Sequence, residues 1–379
     1  MIEPIGNMGG MHYYTNSILS ELLNSQIDIK LSTSKHSKND FNNETNIIFP
    51  FGNIFRSKSK LQNLFFLLKG SIKSLIVSIL EKREIIHLHF FGFKFHFLII
   101  FILFYFFRKK IVLTIHDVDQ IASSKKKLFL WLSMFMFRLS KACIVHNNYS
   151  KKIFNNLSQR KLKKIYVIRH GNYDNYVQRM KNNNDALFKD KFLFHSNFVH
   201  ILFFGKIKKN KGLDILIDAY KEFVDIETNN KKFKLLIVGR IDDMSLYKKL
   251  QKKLLEKSKY NIVTDFTFVS EYKLDYYFRN SDLIVLPYKE IYQSGVFLLS
   301  IAYKKPIIAS NLEPFKEVLA DKNTKNISFF KLNDKKDLVR KFRLFSGNFK
   351  KNHNLQFNLD STYDWDYIAS ETIDIYRSI

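Results

Sequence analysis

The sequence has 379 residues, of which 46% are hydrophobic, with only 12 glycines and 5 prolines. This composition excludes a disordered or linker-rich chain, and the length suggests two globular domains of ordinary size. The net charge of +27 attracts anions such as nucleic acid, acidic lipid headgroups or phosphorylated substrates. A general compositional bias is an alternative source of the charge, because Lys, Asn, Ile and Phe are all abundant together. The single cysteine, Cys143, excludes an internal disulfide and a cysteine-based zinc site.

The first half of the chain alternates helices with short apolar runs of the kind buried in parallel sheets. The predicted elements are a helix over 11–23, a helix over 61–80, a strand over 85–90, a helix over 90–107, a strand over 111–115, a helix over 126–140 and strands over 142–146 and 165–169. This alternation predicts an α/β doubly wound sheet. The first residues, 1–5, form only a stub where a full strand should precede the first helix.

Two of these helices bear on membrane binding. The apolar residues of 61–80 share one helical face. The unbroken apolar part of 90–107, residues 97–107, is too short to span a bilayer. We therefore expect a helix buried on the sheet there, with an interfacial membrane helix as the alternative. Residues 1–10 lack the basic start and apolar core of a signal peptide.

A polar stretch over 181–191 is interpreted as the connection between the domains, after which the alternation restarts. The second set of predicted elements comprises strands over 200–204, 235–238, 262–269, 283–286 and 306–309, and helices over 213–226, 244–257, 274–279, 296–303 and 365–379. The sequence therefore predicts domains at 1–185 and 186–360, and a C-terminal helix at 361–379 that packs back on the first domain. Ligands of such open sheets bind at the carboxyl ends of strands.

The clearest local signal is a strand that ends at Gly205-Lys206, with Lys211-Gly212 before the next helix. Glycine permits a tight turn, and the helix N-terminus together with two ammonium groups favours a diphosphate. A P-loop does not fit the order of the residues. A solvated basic turn is the alternative interpretation.

A second predicted strand is followed by a loop and then a helix, and Ser294-Gly295-Val296 lies at the start of that helix. Ser294 can cap this helix, and the free N–H groups can hold an anion. Glu290 lies within the loop and can accept hydrogen bonds from sugar or ribose hydroxyls. An ordinary strand–loop–helix connection is again the alternative.

His116 follows the strand over 111–115, where active sites of open sheets lie, and we expect it to donate a hydrogen bond to a sugar hydroxyl or a developing oxyanion. A structural histidine is the alternative.

The D-x-D of 117–119 is interpreted as a helix cap, because no second acidic cluster accompanies it. Gly9 and Gly10 allow close approach of a ligand before the first helix. His87 and His89 share a strand face but have no third metal ligand nearby in the sequence.

Together these segments resemble, in order over nearly the whole chain, the retaining glycosyltransferases of family 4, which have the GT-B fold. The resemblance rests on the glycine loop at 9–10, the strand ending at His116, the strand ends at 144–147 and 167–171, the segment 204–212, the strand and turn at 236–239, the segments 281–287 and 306–310 and the closing helix over 365–376. It implies two Rossmann-like doubly wound domains facing a central cleft.

The resemblance also implies a nucleotide diphosphate-sugar donor in the C-terminal half. Lys206 and Lys211 would neutralise the diphosphate, Gly239 would lie in the next turn, and His116 would be the catalytic group that contacts the sugar. Transfer would retain configuration by a front-face route. No metal or other cofactor would be required, because lysines and helix N-termini supply the positive charge.

The chain departs from the family pattern at specific residues. The paired glutamates of the family are not both present, because Leu299 or Ser300 occupies the second position. The loop 293–296 instead resembles a subset with a Q-S-G-V donor loop. Lys206 stands where the family has arginine, and lysine lacks the bidentate geometry of arginine.

We therefore expect a hexosyltransferase that acts on a glycan or lipid-linked acceptor in polysaccharide biosynthesis. It would be cytoplasmic and peripheral on the inner face of an anionic membrane, with no nucleic-acid partner because the basic residues are spread through the chain. The alternatives are a catalytically inactive GT-B relative that acts as a scaffold, a basic nucleic-acid-binding protein, and a different GT-B enzyme such as an epimerase.

Overall fold

The computed structural model describes residues 1–6, 10–40, 46–54, 59–90, 95–116, 118, 127–158, 164–182, 193–227, 232–241, 243–319, 326–349, 357 and 359–379. They divide into two compact units. Unit 1 comprises Met1–Gly171 and Asp360–Ile379, and unit 2 comprises Asn172–Leu359. The division falls before the boundary predicted at 185, and most of the predicted connection over 181–191 lies outside the described residues.

Unit 1 contains a parallel sheet of seven strands in the order β3-β2-β1-β4-β5-β6-β7. Its strands are β1 (Ile2–Glu3), β2 (Leu31–Thr33), β3 (Ile47–Ile48), β4 (Ile85–Phe90), β5 (Lys110–Ile115), β6 (Ala142–Val145) and β7 (Ile165–Val167). Its helices are α1 (Gly10–Asn24), α2 (Lys60–Leu80), α3 (Phe95–Phe106), α4 (Lys127–Leu139) and α5 (Asn148–Ser158), together with the C-terminal helix Trp365–Ser378. The short β1 lies between β2 and β4 and pairs in parallel with both.

The C-terminal helix packs on α1 within unit 1. Trp365, Ile368 and Ile373 enter the same buried cluster as Tyr14 and Leu22 of α1. This burial is the reason why a segment distant in sequence completes the unit.

Helix α2 turns its polar small residues, rather than its apolar face, toward the rest of unit 1. Ser71, Ser74 and Ser78 are buried, and each hydroxyl donates to a carbonyl oxygen of the preceding helical turn. A Cβ atom at Gly70 would lie 2.3 Å from the ring of Phe51, so this face packs at close range. Leu67 and Leu75 are buried on this same face, whereas the large apolar side chains of the opposite face are exposed.

Within the described residues, α2 is the one helix whose length and composition would suffice to cross a bilayer. Core helices of soluble proteins share this length and composition. Helix α3 buries Phe97, Phe101 and Phe104 and exposes Tyr105 and Phe106. Helix α3 packs against β5, as expected of a helix buried on the sheet, although Tyr105 and Phe106 remain exposed.

Unit 2 contains a parallel sheet of six strands in the order β10-β9-β8-β11-β12-β13. Its strands are β8 (Phe198–Phe204), β9 (Lys232–Val238), β10 (Ile262–Asp265), β11 (Leu283–Leu286), β12 (Ile307–Ser310) and β13 (Ile327–Phe330). Its helices are α6 (Asp174–Asn182), α7 (Leu213–Ile226), α8 (Met244–Lys253), α9 (Glu271–Asn280), α10 (Gly295–Ala302), α11 (Glu313–Val318) and α12 (Lys335–Asn348). The C-terminal helix of unit 1 is α13.

Helix α6 belongs to unit 2 because it packs on α9. Arg179 forms an ion pair with Glu271, and the Tyr176 hydroxyl donates to the Glu271 carbonyl oxygen. The two parallel sheets with alternating helices confirm the predicted α/β architecture of two Rossmann-like units.

Candidate active site

The candidate donor site of unit 2 lies where the strand order reverses. Strand β8 pairs with β9 on one side and with β11 on the other, so the chain continues outward from β8 in both directions. Such switch points leave a crevice at the carboxyl ends of the two central strands, where ligands of open sheets bind. The predicted loops at 205–212 and 287–296 both begin at this edge.

Two glycines permit close backbone contacts at this edge of the sheet, one between the turn after β9 and Gly205, and one between the loops at 205–212 and 287–296. Gly239 has φ +140°, and a Cβ atom there would lie 2.0 Å from the carbonyl oxygen of Gly205. Gly212 has φ +64°, and a Cβ atom there would lie 1.8 Å from the carbonyl oxygen of Pro287. Only glycine fits both the backbone conformation and the space at these positions.

Hydrogen bonds and an ion pair join the same two loops. The Lys289 N–H donates to the carbonyl oxygen of Asn210 at 2.8 Å, and the Lys289 ammonium donates to the Asp214 carboxylate at 2.8 Å. Lys289 therefore acts as a clamp between the loops. Sequence reasoning missed this role, because Lys289 and Asp214 lie on segments far apart in the chain.

Lys211 lies over an aromatic platform. Its Nζ atom is 3.6 Å from the ring centroid of Tyr288, which is fully buried. A cation over a buried ring is attracted by the ring's quadrupole, so Tyr288 restricts where the ammonium group sits. Burial raises the pKa of Tyr288, so its hydroxyl remains protonated beside Ser294. Sequence reasoning missed Tyr288, because its contact with Lys211 joins two segments that are far apart in the chain.

Ser294 caps α10, as predicted: its Oγ accepts the N–H of Phe297 at 3.2 Å. Because the Phe297 N–H is capped, the N–H groups of Gly295 and Val296 are those that the helix start offers to an anion. Val296 lies beside Gly205, where a Cβ atom would be 3.8 Å from its Cγ2. The structure thus brings together Gly205, Lys211 and the start of α10.

The other residues that were predicted to bind the sugar donor lie at more exposed positions or outside this loop pair. Lys206 and Glu290 are exposed, and Glu290 Oε1 accepts a hydrogen bond from the Tyr292 hydroxyl at 3.0 Å. Gly10 begins α1 in unit 1. Gly9 lies outside the described residues, as do the acidic residues at 117 and 119.

The candidate site of unit 1 is a chain of histidines at the carboxyl edge of its sheet. His89 lies in β4, His116 follows β5, His146 follows β6 and His170 follows β7, and all four are buried. Adjacent parallel strands bring these positions together. His116 Nε2 is 3.3 Å from His89 Nδ1, and His116 Nδ1 is 3.0 Å from His146 Nε2.

Tyr14 of α1 fills the space between these rings. Its ring centroid lies 4.7 Å from that of His116, 5.3 Å from that of His146 and 5.1 Å from that of His170. Burial raises the pKa of Tyr14, and the side chain of Thr114 lies at its hydroxyl. Sequence reasoning missed both Tyr14 and the connection between the histidines.

Burial also keeps the histidines uncharged. Desolvation lowers the pKa of His87 and His170 to about 3 and that of His146 to about 4. It lowers the pKa of His89 and His116 in the same direction. A neutral imidazole has one donor and one acceptor nitrogen, so each ring in the chain can donate only once.

His87 shares a strand face with His89, as predicted, but makes different contacts. Its Nε2 is 2.7 Å from Thr114 Oγ1, and its Nδ1 is 2.5 Å from the hydroxyl of Tyr376 in α13. Among the described residues, no group of three His, Cys, Asp or Glu side chains could hold a metal ion.

Comparisons with known proteins agree with this architecture. Residues 8–172 match the model "Glycosyltransferase Family 4", and residues 199–348 match "Glycosyl transferases group 1". A protein of Klebsiella pneumoniae, described as an uncharacterized 41.2 kDa protein in the cps region, is 25% identical over 280 residues, which cover 72% of this chain and 70% of that protein.

Solved structures share the fold at low sequence identity. Sucrose-phosphate synthase from Thermosynechococcus elongatus has a TM-score of 0.71 at 13% identity, covering 99% of this chain and 95% of that one. The catalytic domain of starch synthase IV from Arabidopsis thaliana, bound to ADP and acarbose, has a TM-score of 0.71 at 11% identity, covering 100% and 98%. HepE of Anabaena in complex with UDP-glucose has a TM-score of 0.66 at 15% identity, covering 100% and 96%.

With one glycosyltransferase model matching most of unit 1, another matching most of unit 2, and neighbours of the same architecture over the whole length, the chain is a glycosyltransferase with the GT-B fold.

Proposed function

We propose that this enzyme transfers a hexose, with retention of configuration, from a nucleoside diphosphate-sugar to a glycan or lipid-linked acceptor in polysaccharide biosynthesis. The observation that carries the proposal is the pair of loops at the β8–β11 switch point, where Lys211 and the capped start of α10 supply positive potential. HepE, which shares the fold, was solved with UDP-glucose, and the Klebsiella relative is described as lying in a cps region.

The chemistry of the site suits a leaving diphosphate. As the bond between sugar and phosphate breaks, negative charge grows on the phosphate oxygens, and a preorganised ammonium group stabilises that charge. Lys211 is held by Tyr288, and Lys206 is exposed just after the end of β8. These lysines and the N–H groups of α10 supply the charge that a metal ion supplies elsewhere, so the reaction is proposed to need no metal. His116 would contact the sugar from unit 1.

A screen of nucleotides tests the donor. We expect one of UDP, GDP and ADP, and its sugar derivative, to raise the temperature of thermal unfolding, because a ligand at 100 times its Kd stabilises the native state by about 2.7 kcal/mol. Equal responses to all three nucleotides, or none, would contradict a specific donor site. Transfer or hydrolysis of the stabilising nucleotide sugar then separates an active enzyme from an inactive scaffold.

We further propose that unit 1 binds an anionic membrane on its cytoplasmic face through the neighbouring helices α2, α3 and α4. Helix α3 packs against both α2 and α4, and the sequences of all three helices contain no acidic residue. Large exposed apolar side chains lie on each of them: Leu61, Leu64, Phe65, Leu68, Ile72, Ile76, Ile79, Leu80, Ile102, Tyr105, Phe106, Leu128, Trp131 and Phe135. Lys60, Lys69, Lys73 and Arg138 are exposed on the same helices.

Flotation with lipid vesicles tests this surface. The protein should float with vesicles that contain phosphatidylglycerol and not with pure phosphatidylcholine, and high salt should release it, because each well-placed Lys or Arg contributes about 1 kcal/mol. The double variant Phe65→Ser/Phe106→Ser should lose most of the binding. The matched control Leu255→Ser/Phe268→Ser, which removes exposed apolar residues of unit 2, should float like the wild type. Equal binding to vesicles with and without phosphatidylglycerol would contradict an electrostatic contribution to membrane binding.

A further inference from the structure

The protonation pattern of the histidine chain is fixed from one end. His146 Nδ1 lies 3.0 Å from the carbonyl oxygen of Ile168, which can only accept a hydrogen bond. His146 therefore carries its proton on Nδ1, and its Nε2 is left as an acceptor. If the ring of His146 were turned over, carbon atoms would face both Ile168 and His116, so the two hydrogen bonds also fix the ring orientation.

The same reasoning passes to the next two rings. Since His146 Nε2 accepts, His116 Nδ1 at 3.0 Å must donate, and His116 Nε2 becomes an acceptor. His89 Nδ1, at 3.3 Å from His116 Nε2, then donates in turn. This leaves the lone pair of His89 Nε2, a buried atom without a hydrogen-bond partner among the described residues. Each of the three rings therefore donates from Nδ1 and carries its acceptor lone pair on Nε2.

We propose that His146 is a positioning residue that, anchored by the Ile168 carbonyl, holds His116 with its proton on Nδ1 and presents His116 Nε2 as a hydrogen-bond acceptor. This inference rests on the proposed contact between His116 and substrate. Its consequence is that a substrate hydroxyl at His116 Nε2 donates to that nitrogen in place of His89 Nδ1, and that His116 does not donate from Nε2 to a developing oxyanion. The long 3.3 Å separation from His89 makes Nε2 the weaker-bound end of His116.

The packing around the rings supports a fixed arrangement. His116 and His146 are 6% and 5% exposed, and the ring of Tyr14 packs against both in edge-to-face geometry. A proton on the wrong nitrogen would leave buried polar atoms facing each other without a hydrogen bond, which is costly away from water. The tautomer is therefore set by the backbone of β7's end rather than by exchange with solvent.

The decisive measurement is nitrogen NMR of the full-length protein labelled with ¹⁵N-histidine, with the His116 signals assigned by His116→Asn. At neutral pH the wild type should show His116 protonated on Nδ1. His146→Leu removes the acceptor and should move His116 toward the Nε2-protonated form. His146→Gln, whose side-chain oxygen can reach the position of Nε2, should preserve the wild-type tautomer. An Nε2 proton in the wild type, or a tautomer unaffected by His146→Leu, would overturn the proposal.

Kinetics with the nucleotide sugar found in the screen supply the second readout. His146→Leu should lower kcat about tenfold or more and change the KM for the donor by less than about threefold, whereas His146→Gln should keep at least about a third of the wild-type kcat. Equal losses in the two variants would contradict a positioning role. If no nucleotide sugar supports transfer, the proposed function fails, while the NMR result still decides the tautomer. If His146→Leu does not fold, the wild-type spectrum alone decides it.

Discussion

Acidification to about pH 5 should unfold unit 1, because folding buries five histidines in their neutral form. Desolvation lowers the pKa of His87 and His170 to about 3 and that of His146 to about 4, from 6.5 in an exposed chain. His89 and His116 shift in the same direction. Below pH 6.5 the unfolded chain takes up protons that the folded unit does not bind, so the free energy of unfolding falls as the pH falls from 6.5 toward 4.

The expected loss is large compared with the stability of a domain. At pH 5, 1.5 pH units below the pKa of an exposed histidine, each neutral buried ring costs roughly 2 kcal/mol relative to the unfolded chain. The three histidines with assigned values together account for about 6 kcal/mol, against about 5–15 kcal/mol for the total stability of a domain. The transition therefore falls at a higher pH than the protonation of ordinary carboxylates.

Tryptophan fluorescence measures this transition in unit 1 alone, since Trp131 and Trp365 are the two tryptophans of the chain and both belong to unit 1. Urea unfolding at several pH values gives the number of protons taken up. His146→Gln should reduce that number by about one, and His195→Gln, at an exposed position of unit 2, should leave it unchanged. Emission that stays native down to pH 4 would contradict the prediction.

The secondary structure was most predictable where apolar runs are long and flanked by turn residues. The strands over 85–90 and 283–286 and the helix over 213–226 have the predicted bounds. The strands β2 and β3, of three and two residues, are too short for any periodicity to appear. The predicted helix over 244–257 ends at Lys253, and the chain continues in turns from Leu254, whose N–H still donates to the carbonyl oxygens of Leu250 and Gln251.

The direction in which a helix face points was not predictable from its pattern. The apolar stripe of 61–80 is compatible both with packing on a core and with a membrane-facing surface, and in the structure the serines and Gly70 of α2 face inward. Serine hydroxyls bond to the carbonyls of their own helix and so can be buried without other partners. Nothing in the periodicity distinguishes these two orientations.

The sequence predicted where in the chain the site residues lie, but it did not predict which side chains contact one another. His116, Lys211 and Ser294 follow strands, and the ends of parallel strands share one edge. The histidine chain depends on the register that sets His89 opposite Thr114 and Thr114 opposite Ile144, which is a tertiary property. In the same way, the contact of Lys211 with Tyr288 exists because β8 and β11 are neighbours, although many residues separate them in sequence.

Replacing Lys211 by alanine should weaken binding of the nucleoside diphosphate by roughly 2 kcal/mol, or about thirtyfold, because a charge-assisted hydrogen bond to phosphate is lost. Binding of the corresponding nucleoside, which carries no phosphate, should not change. Isothermal titration calorimetry of the wild type and Lys211→Ala with both ligands measures the difference. Lys249→Ala, an exposed lysine on α8, is the matched control for loss of one positive charge.

Substitutions of Tyr288, whose ring lies beneath the Lys211 ammonium group, test whether that ring is the reason why Lys211 binds the diphosphate well. Tyr288→Phe keeps the platform and removes the hydroxyl beside Ser294, so diphosphate affinity should stay within about threefold of the wild type. Tyr288→Leu removes the ring, frees the lysine side chain to adopt other rotamers and should lower affinity by about tenfold. In the Lys211→Ala background the Leu substitution should have little further effect, because the two residues act through one ammonium group. Additive losses in the double variant would show that Tyr288 supports the loop by another route.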